Sequence, residues 1–301
     1  MSESDTPSSG PTLGARLFVG MQHLLPQHTL SRVIHRVARA RAVGLKNALI
    51  GNFVKHFRPE MSDAVQPNPL AYGSFNDFFT RALKPEARII DQDPHALVSP
   101  VDGTVSQIGL LDEMRMIQAK GRHYRVDTLL AGSSRYSNRY VGGAFATLYL
   151  APYNYHRIHM PMAGTLRAAW YVPGKLYSVN ATTAASVPEL FAINERVVCI
   201  FEHGPIEYAM VLVGALFVGS IATIWHGDIT PRSPRRVMNM PMPKDLAATR
   251  LVKGAEMGRF NMGSTVILVF PRDVMQWDPA IGPGSIIRVG QRLANLHHPV
   301  R

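Results

Sequence analysis

The chain of 301 residues lacks the features that define several classes of protein. It has one cysteine, Cys199, so an intrachain disulfide is excluded, and the apolar residues around it predict a buried thiol on a strand. No apolar run reaches the roughly 18 residues that a membrane-spanning helix needs. The first ten residues are polar and acidic, unlike the start of a secretory signal. The composition is that of a globular protein with no need of an oxidising compartment.

Acidic residues are also missing from one long segment. Between Thr6 and Pro59 there is no aspartate or glutamate, whereas eight lysines or arginines fall in that span. The net charge of the whole chain is +11, and nucleic acid and anionic lipid are the usual partners of so basic a protein. Motifs that read bases are absent, and apolar residues are interleaved with the cations. We therefore predict an anionic membrane surface as partner and no nucleic acid. The alternative is a group of helices that packs only on its own domain.

The sequence divides into three parts. Residues 1–12 predict a disordered tail, and residues 13–95 a helical, membrane-associating region with helices at 13–25, 30–40 and 43–57. Ser74 and Asp77 predict a further capped helix start. From residue 96 to 301, short β-branched runs separated by glycine and proline predict a β-rich catalytic domain, so the fold class is α+β. The predicted strands are 98–105, 145–150, 164–171, 196–202, 206–214, 265–270 and 286–293.

Three segments of the β-rich part carry residues that can do chemistry. Asp102 with the glycine after it is, taken alone, typical of a turn between two short apolar runs. His156 and His159 lie three residues apart, but no third ligand has a suitable spacing, so we predict no metal site. Ser264 follows the flexible Gly263 and begins a β-branched run.

In combination the three segments predict an activated serine. A carboxylate that orients an imidazole, which in turn deprotonates a hydroxyl, is a general way to make a serine nucleophilic. A hydrolase that acts on other molecules usually presents its serine in a Gly-x-Ser-x-Gly elbow before a helix. Ser264 instead begins a predicted strand, which favours attack on the carbonyl of its own neighbour, Gly263. A membrane-associated serine hydrolase that uses the same residues in trans, and a non-catalytic peripheral membrane protein, are the alternatives.

Six segments carry a resemblance to a known family. They are Pro100–Gly103, Tyr155–Pro161, Pro173–Asn180, Phe191–Arg196, Val213–Ala215 with Val218–Ser220, and Gly254–Phe260 leading into Gly263–Thr265. With all six in this order, the chain resembles the phosphatidylserine decarboxylase proenzymes of proteobacteria over nearly its whole length. The self-cleavage motif of that family is commonly Leu-Gly-Ser-Thr, and here Met262 replaces the leucine, which keeps the bulk and the apolarity.

The resemblance implies a chain that cuts itself. Asp102 would hold and polarise His159, and His159 would take the proton of Ser264. The Ser264 oxygen would then attack the carbonyl of Gly263. Elimination of the resulting ester and hydrolysis would leave a β chain of residues 1–263. The α chain, residues 264–301, would begin with a pyruvoyl group, so the product is a heterodimer of two chains from one precursor. Whether these pairs dimerise further is open.

The pyruvoyl group, covalent and derived from Ser264, is the implied cofactor. It would form a Schiff base with the amine of the substrate, phosphatidylserine, and accept electrons as carbon dioxide leaves. His156 is the candidate that protonates the resulting carbanion, with His159 as the second choice. The product would be phosphatidylethanolamine. The resemblance also implies a peripheral enzyme on the cytoplasmic face of the cell membrane.

A second resemblance concerns architecture. Segments 100–105 and 284–293 are similar to the paired half-motifs of lipoyl and biotinyl carriers, which predicts a body like a barrel-sandwich hybrid. Neither segment has the lysine that a carrier presents at a hairpin tip. The similarity therefore bears on the fold and not on a swinging arm.

Overall fold

The computed structural model describes residues 14, 20–22, 25–119, 121–216, 220–230, 235–245, 247–262 and 264–297. Helices come first in these residues and most of the strands follow residue 95, with four short helices between the strands. The predicted α+β class is confirmed. The predicted tail, residues 1–12, lies outside the described residues, and the first predicted helix, 13–25, does so for the most part.

Ahead of the strands, the described residues from 25 onward form the α-helices α1 (Gln27–Ala38), α2 (Val43–Phe57) and α3 (Phe75–Phe79). The bounds of α2 are those predicted. Its buried side chains include Ile50 and Phe53, whose spacing of three residues puts them on one helical face. The predicted cap of α3 is confirmed, because Ser74 Oγ accepts a hydrogen bond of 3.1 Å from the Asp77 amide.

The remaining elements belong to the strand-rich part. Its helices are α4 (Val126–Leu129), α5 (Ser134–Ser137), α6 (Ala181–Ser186) and α7 (Leu190–Ile193). The strands are β1 (Ala96–Val98), β2 (Gly103–Leu110), β3 (Arg115–Ala119), β4 (Arg122–Arg125), β5 (Ala144–Leu150), β6 (Arg157–His159), β7 (Gly164–Val172), β8 (Arg196–His203), β9 (Ile206–Val213), β10 (Ile221–Thr223), β11 (Gly227–Asp228), β12 (Met238–Asn239), β13 (Arg250–Leu251), β14 (Glu256–Phe260), β15 (Ser264–Phe270), β16 (Met275–Trp277), β17 (Ile286–Ile287) and β18 (Arg292–Leu296).

The largest sheet is antiparallel and has nine strands, in the order β12-β7-β8-β9-β15-β5-β2-β17 with β13 beside β7. A second sheet has the order β11-β10-β14-β6, a third the order β1-β18-β16, and β3 pairs with β4. In the part of the chain that the structure describes, no sheet closes into a barrel.

The nine-stranded sheet is covered on both faces. Every residue of β15 is buried. Its side chains point alternately to the two faces of the sheet, so that Leu268 belongs to one apolar cluster and Ile267 to the other. This explains why residues 266–270 of β15 and 208–213 of β9 are continuous runs without charged residues and do not alternate with polar ones. Cys199 is buried on β8 as predicted, and burial raises the pKa of its thiol to about 12.

The two predicted half-motifs contact each other, although each is interrupted. Strand β17 pairs with β2, with Ile286 opposite Thr104, and β18 pairs with β1. The predicted strand 98–105 breaks after β1, where Ser99 Oγ donates to the carbonyl of Val101. The predicted strand 286–293 breaks at Gly290, whose φ of 87° takes the chain out of the extended conformation.

Helix α1 and the residue after it, Arg39, contact the strand-rich part through polar groups. The Gln27 side-chain oxygen accepts a hydrogen bond of 2.8 Å from the Leu176 amide. Arg39 donates to Asp228 on β11 over 2.6 Å, and Asp228 also accepts from Asn261, over 3.1 Å. Among the helices that the structure describes, none combines the length and the hydropathy that a bilayer crossing needs.

Candidate active site

The candidate residues meet at the C-terminal end of β5. Its flanking strands β2 and β15 are both antiparallel to it, and Tyr149 pairs with Thr104 on one side and with Thr265 on the other. Because neighbouring strands run in opposite directions, β2 and β15 begin where β5 ends. Asp102, which precedes β2, and Ser264, the first residue of β15, therefore lie at the same end of the sheet.

Asp102 is held by a close backbone approach and by an arginine. A Cβ on Gly103 would come within 2.3 Å of the Tyr149 carbonyl oxygen, so only glycine permits β2 to lie this close to β5. The Asp102 carboxylate accepts hydrogen bonds from Arg88 Nε, 3.0 Å from each oxygen, and from the Val289 amide at 2.9 Å. Asp102 is thus a carboxylate paired with an arginine beside the site.

His156 is a neutral imidazole with one open nitrogen. Its Nδ1 lies 2.8 Å from the carbonyl oxygen of Asn154, and since a carbonyl only accepts, Nδ1 carries the proton. Its buried Nε2 has no hydrogen-bond partner among the described residues. Burial, helped by the nearby cation of Arg81, lowers the pKa of His156 to about 3, although the Asn154 hydrogen bond opposes this. The ring of Phe79 packs on the imidazole, with the centroids 4.2 Å apart.

His159, at the end of β6, has both ring nitrogens engaged. Its Nδ1 donates to the carbonyl of Gly254 over 2.7 Å, and its Nε2 accepts from the Tyr155 hydroxyl over 3.0 Å. Burial lowers the pKa of His159, while the Gly254 hydrogen bond and the charges of Glu256 and Asp102 act in the opposite direction. His159 is thus a base whose acceptor nitrogen already has a partner.

Ser264 presents a buried hydroxyl with nothing to bond. Its side chain is fully buried, and among the described residues Oγ has no hydrogen-bond partner. The neighbouring Thr265 hydroxyl is also unpaired, so the missing partner does not by itself assign a role; what it leaves at the start of β15 is a hydroxyl free to react. Gly263, the predicted partner in cleavage, lies outside the described residues.

Backbone hydrogen bonds connect the histidine segment to both other segments. The His156 carbonyl accepts from the Phe260 amide on β14, four residues before Ser264, over 3.0 Å. The His159 amide donates to the carbonyl of Pro100, in the loop before Asp102, over 2.8 Å. The structure therefore brings all three predicted segments together. In the described residues the side chains of Asp102 and His159 bond to other groups and not to each other.

An apolar cavity of about 550 Å³ adjoins this end of the sheet. Its walls come from α1, α2 and the end of β5, and apart from Tyr149 and Ser178 they are apolar. Three residues of the cavity wall lie beside the candidate residues. Leu150 pairs with Ser264, and Phe79 packs on His156. Met262 lies two residues before Ser264.

Sequence reasoning did not single out Arg88, Tyr155 or the Gly254 carbonyl. Tyr155 and Gly254 lie inside segments that the sequence analysis had already noted. Tyr155 is only four residues before His159, so the sequence offered a reason to expect a contact between them. Arg88 offered none, because its pairing with Asp102 arises only when the chain between them folds back.

Comparisons with known proteins agree with this picture. A family model described as phosphatidylserine decarboxylase matches residues 75–295, and a second, described as PSD, matches residues 17–58. The phosphatidylserine decarboxylase proenzyme of Bordetella pertussis strain Tohama I is 50% identical over 282 residues, 93% of this chain and 94% of that protein. Proteins with the same name from Shewanella sp. strain W3-18-1 and Azotobacter vinelandii strain DJ are also 50% identical, over 285 and 281 residues. These matches cover 93% and 92% of this chain and 98% and 97% of the two relatives.

Proposed function

The chain belongs to the phosphatidylserine decarboxylase family, and from this premise we propose that it converts phosphatidylserine to phosphatidylethanolamine after cutting itself between Gly263 and Ser264. The observation that carries the proposal is the buried, unpartnered hydroxyl of Ser264 at the start of β15. It lies where Asp102 and the two histidines converge, next to an apolar cavity suited to a lipid.

Self-cleavage uses the chain's own groups. Ser264 Oγ attacks the carbonyl carbon of Gly263 and displaces the peptide nitrogen, so that an ester joins the two residues. His159 takes the hydroxyl proton and returns it to the nitrogen, for which Tyr155 must give up its hydrogen bond to Nε2. Asp102 supports His159 through its charge. Elimination then breaks the ester and gives Gly263 a carboxylate, and hydrolysis with loss of ammonia leaves a keto group at residue 264.

The start of β15 fits a pyruvoyl group derived from Ser264. The residue is buried, its oxygen competes for no hydrogen bond among the described residues, and the neighbouring cavity wall is apolar. Once formed, the group supplies the electron-accepting carbonyl on which decarboxylation depends. Burial around residue 264 excludes water from the reaction.

We assign proton delivery in the decarboxylation to His156. Its Nε2 has no hydrogen-bond partner among the described residues and is free to carry a proton. The imidazole is neutral in the unliganded chain, so it must first gain a proton, which an anionic headgroup beside it favours. A proton held by so weak a base is then transferred readily to a carbanion.

The region 13–95 serves as the membrane-associating part, and 96–301 as the catalytic domain. Helix α1 buries the polar Gln27 and Ser31 against the protein and exposes Val33 and Val37 beside arginines. This is the reverse of a solvated helix and suits an interface between water and lipid. We place the enzyme peripherally on the cytoplasmic face of the membrane, where anionic lipid attracts the acid-free segment.

The catalytic domain is proposed to be a variant of the barrel-sandwich hybrid that remains open. The contact between segments 100–105 and 284–293, through β2 and β17, supports this reading. Self-cleavage makes the working unit a pair of chains, residues 1–263 and 264–301.

Intact-mass spectrometry combined with a lipid assay tests the function. The purified protein is expected to give two fragments, the smaller one beginning at residue 264 without an amino group. In mixed micelles it is expected to convert phosphatidylserine to phosphatidylethanolamine with release of carbon dioxide. A chain that stays whole and hydrolyses the lipid is the membrane-associated hydrolase instead. Decarboxylation by an uncut chain contradicts the pyruvoyl mechanism.

A further inference from the structure

Arg81, which lies two residues beyond α3, is a buried cation without a counter-ion. The residue is only 3% exposed. Its Nη2 donates one hydrogen bond of 3.2 Å to the carbonyl of Tyr153. Its Nε and Nη1 are buried and have no partner among the described residues, and no described carboxylate forms an ion pair with it. An unpaired buried charge is costly, so this arrangement calls for an explanation.

Two other arginines of the same chain show how such a charge is normally satisfied. Arg88 is ion-paired with Asp102 and Asp63. Arg196 is also buried among apolar groups, but its guanidinium donates to four backbone carbonyls, those of Leu129, Ala192, Asn194 and Thr128. Arg81 has neither solution: its guanidinium has one carbonyl acceptor, lies 6.0 Å from the centre of the Phe78 ring, and is attracted by the Asp102 charge without an ion pair.

The position of Arg81 is beside the candidate active site. Arg81 and His156 donate to the neighbouring carbonyls of Tyr153 and Asn154. Arg157, which follows His156, donates to the carbonyl of Thr80, which precedes Arg81, over 2.9 Å. The side chains of Arg81 and His156 are thus neighbours. Burial is the main cause of the lowered pKa of His156, and the charge of Arg81 lowers it further. Phe79, two residues before Arg81, lines the apolar cavity.

We propose that Arg81 binds the phosphodiester of the lipid headgroup. This rests on the proposed function, because it takes phosphatidylserine as the ligand. A guanidinium matches phosphate oxygens in geometry and charge. The long side chain of Arg81 is held by one side-chain hydrogen bond, to the Tyr153 carbonyl, which it can exchange for a phosphate oxygen.

The substrate has a second anion, its carboxylate, which fits less well. A carboxylate that departs as carbon dioxide loses its charge in the transition state. An ion pair with it would stabilise the ground state more than the transition state and would slow the reaction. The phosphodiester keeps its charge from substrate to product. A cation that binds it contributes equally at every stage, which lowers KM without raising the barrier.

Arg81→Met tests the assignment in the full, self-cleaved enzyme. Short-chain phosphatidylserine in mixed micelles gives KM and kcat, and short-chain phosphatidylethanolamine added as competitor gives an inhibition constant. Both KM and the inhibition constant are expected to rise at least tenfold, while kcat changes less than about threefold. The matched control is Arg259→Met, which removes one half-exposed cation near the site. It is expected to leave KM, the inhibition constant and kcat unchanged.

The two lipids separate the two anions, because the product retains the phosphodiester and lacks the carboxylate. A rise in KM with an unchanged inhibition constant assigns Arg81 to the carboxylate and overturns the proposal. Unchanged values in both also overturn it.

Self-cleavage on a gel reports that the variant folds. If Arg81→Met stays uncut, Arg81→Lys keeps the charge and is expected to raise both constants together by about threefold, since an ammonium lacks the guanidinium's fork. The absence of any rise in Arg81→Lys contradicts the proposal. A wild-type enzyme that fails to decarboxylate phosphatidylserine contradicts the proposed function instead, whatever the variants do.

Discussion

The nine-stranded sheet and the N-terminal helices bury their residues in opposite ways. Along β15 every side chain is apolar or small and every one is buried. On α2 the cationic Lys46 is buried, and its Nζ donates to the Leu70 carbonyl over 2.8 Å, whereas Val43 and Leu45 beside it are exposed. The hydrophobic effect in water explains which side chains the sheet buries, but it does not explain why α2 buries a lysine and exposes apolar residues. The difference supports the proposal that the helices meet an apolar environment, whereas the sheet positions the candidate residues.

The largest expected effect separates the two regions completely. Ser264→Ala removes the nucleophile of the sheet, so self-cleavage and decarboxylation are expected to fall below detection, while pelleting with anionic vesicles is unchanged. A gel, a carbon dioxide assay and a vesicle spin measure the three properties. The control is Ser186→Ala, a partly buried serine on α6 whose hydroxyl bonds only within its own helix. Processing of the Ser264→Ala chain at the same bond would refute the assigned nucleophile.

Within the sheet region, the two histidines are expected to divide the two reactions. His159→Ala should block cleavage, whereas His156→Ala should cleave and then decarboxylate at least a hundredfold more slowly, the usual range for a lost general acid. Cleavage gels and single-turnover assays distinguish them. His123→Ala, at an exposed position on β4, is the control. A His159→Ala chain that matures at the normal rate removes His159 from the relay.

The buried imidazole of the sheet region should also make stability depend on pH. The pKa of His156 is about 3 in the folded chain, against about 6.5 when exposed. Between these values the unfolded chain binds more protons, so the free energy of unfolding falls as the pH falls below 6.5. At pH 5 the loss due to His156 is about 2 kcal/mol.

Denaturant melts of the Ser264→Ala precursor at pH 7 and pH 5 measure this loss. Adding His156→Gln is expected to reduce the difference between the two pH values. The control, His56→Gln, changes an exposed residue of α2 and should not reduce it. An equal pH dependence with and without His156 contradicts the assigned burial effect.

The smallest effect is expected in the helices. Val33→Asp with Val37→Asp places two charges on the exposed face of α1, where the valines are 49% and 38% exposed. Vesicle binding is expected to weaken about tenfold, because apolar contact is lost and anionic lipid repels the new charges. Self-cleavage should be normal. Val252→Asp, an exposed valine on the other region, is the control. Unchanged pelleting contradicts the membrane role of α1.

The sequence was sufficient where the signal was local. The cap at Ser74, the helix α2 and the strand that begins at Ser264 each follow from neighbouring residues, and each was predicted within a residue or two. The hairpin of β3 and β4 was missed, because its polar residues Arg115–Arg125 do not look like strands. That Asp102 pairs with Arg88, and that the two histidines have different surroundings, depends on packing between distant segments. No spacing in the sequence encodes these contacts.

The position of β15 inside the sheet has a consequence for how the cleaved enzyme refolds. This strand forms seven residue pairs with β5 and five with β9, in the interior of the sheet. An uncut chain refolds at a rate independent of concentration. If the bond before Ser264 is broken as proposed, residues 264–301 become a separate molecule, retained by its strand pairing in the nine-stranded sheet and by the pairing of β18 with β1. Denatured mature enzyme must therefore regain its central strand by a bimolecular encounter, and dilution alone makes its inactivation irreversible.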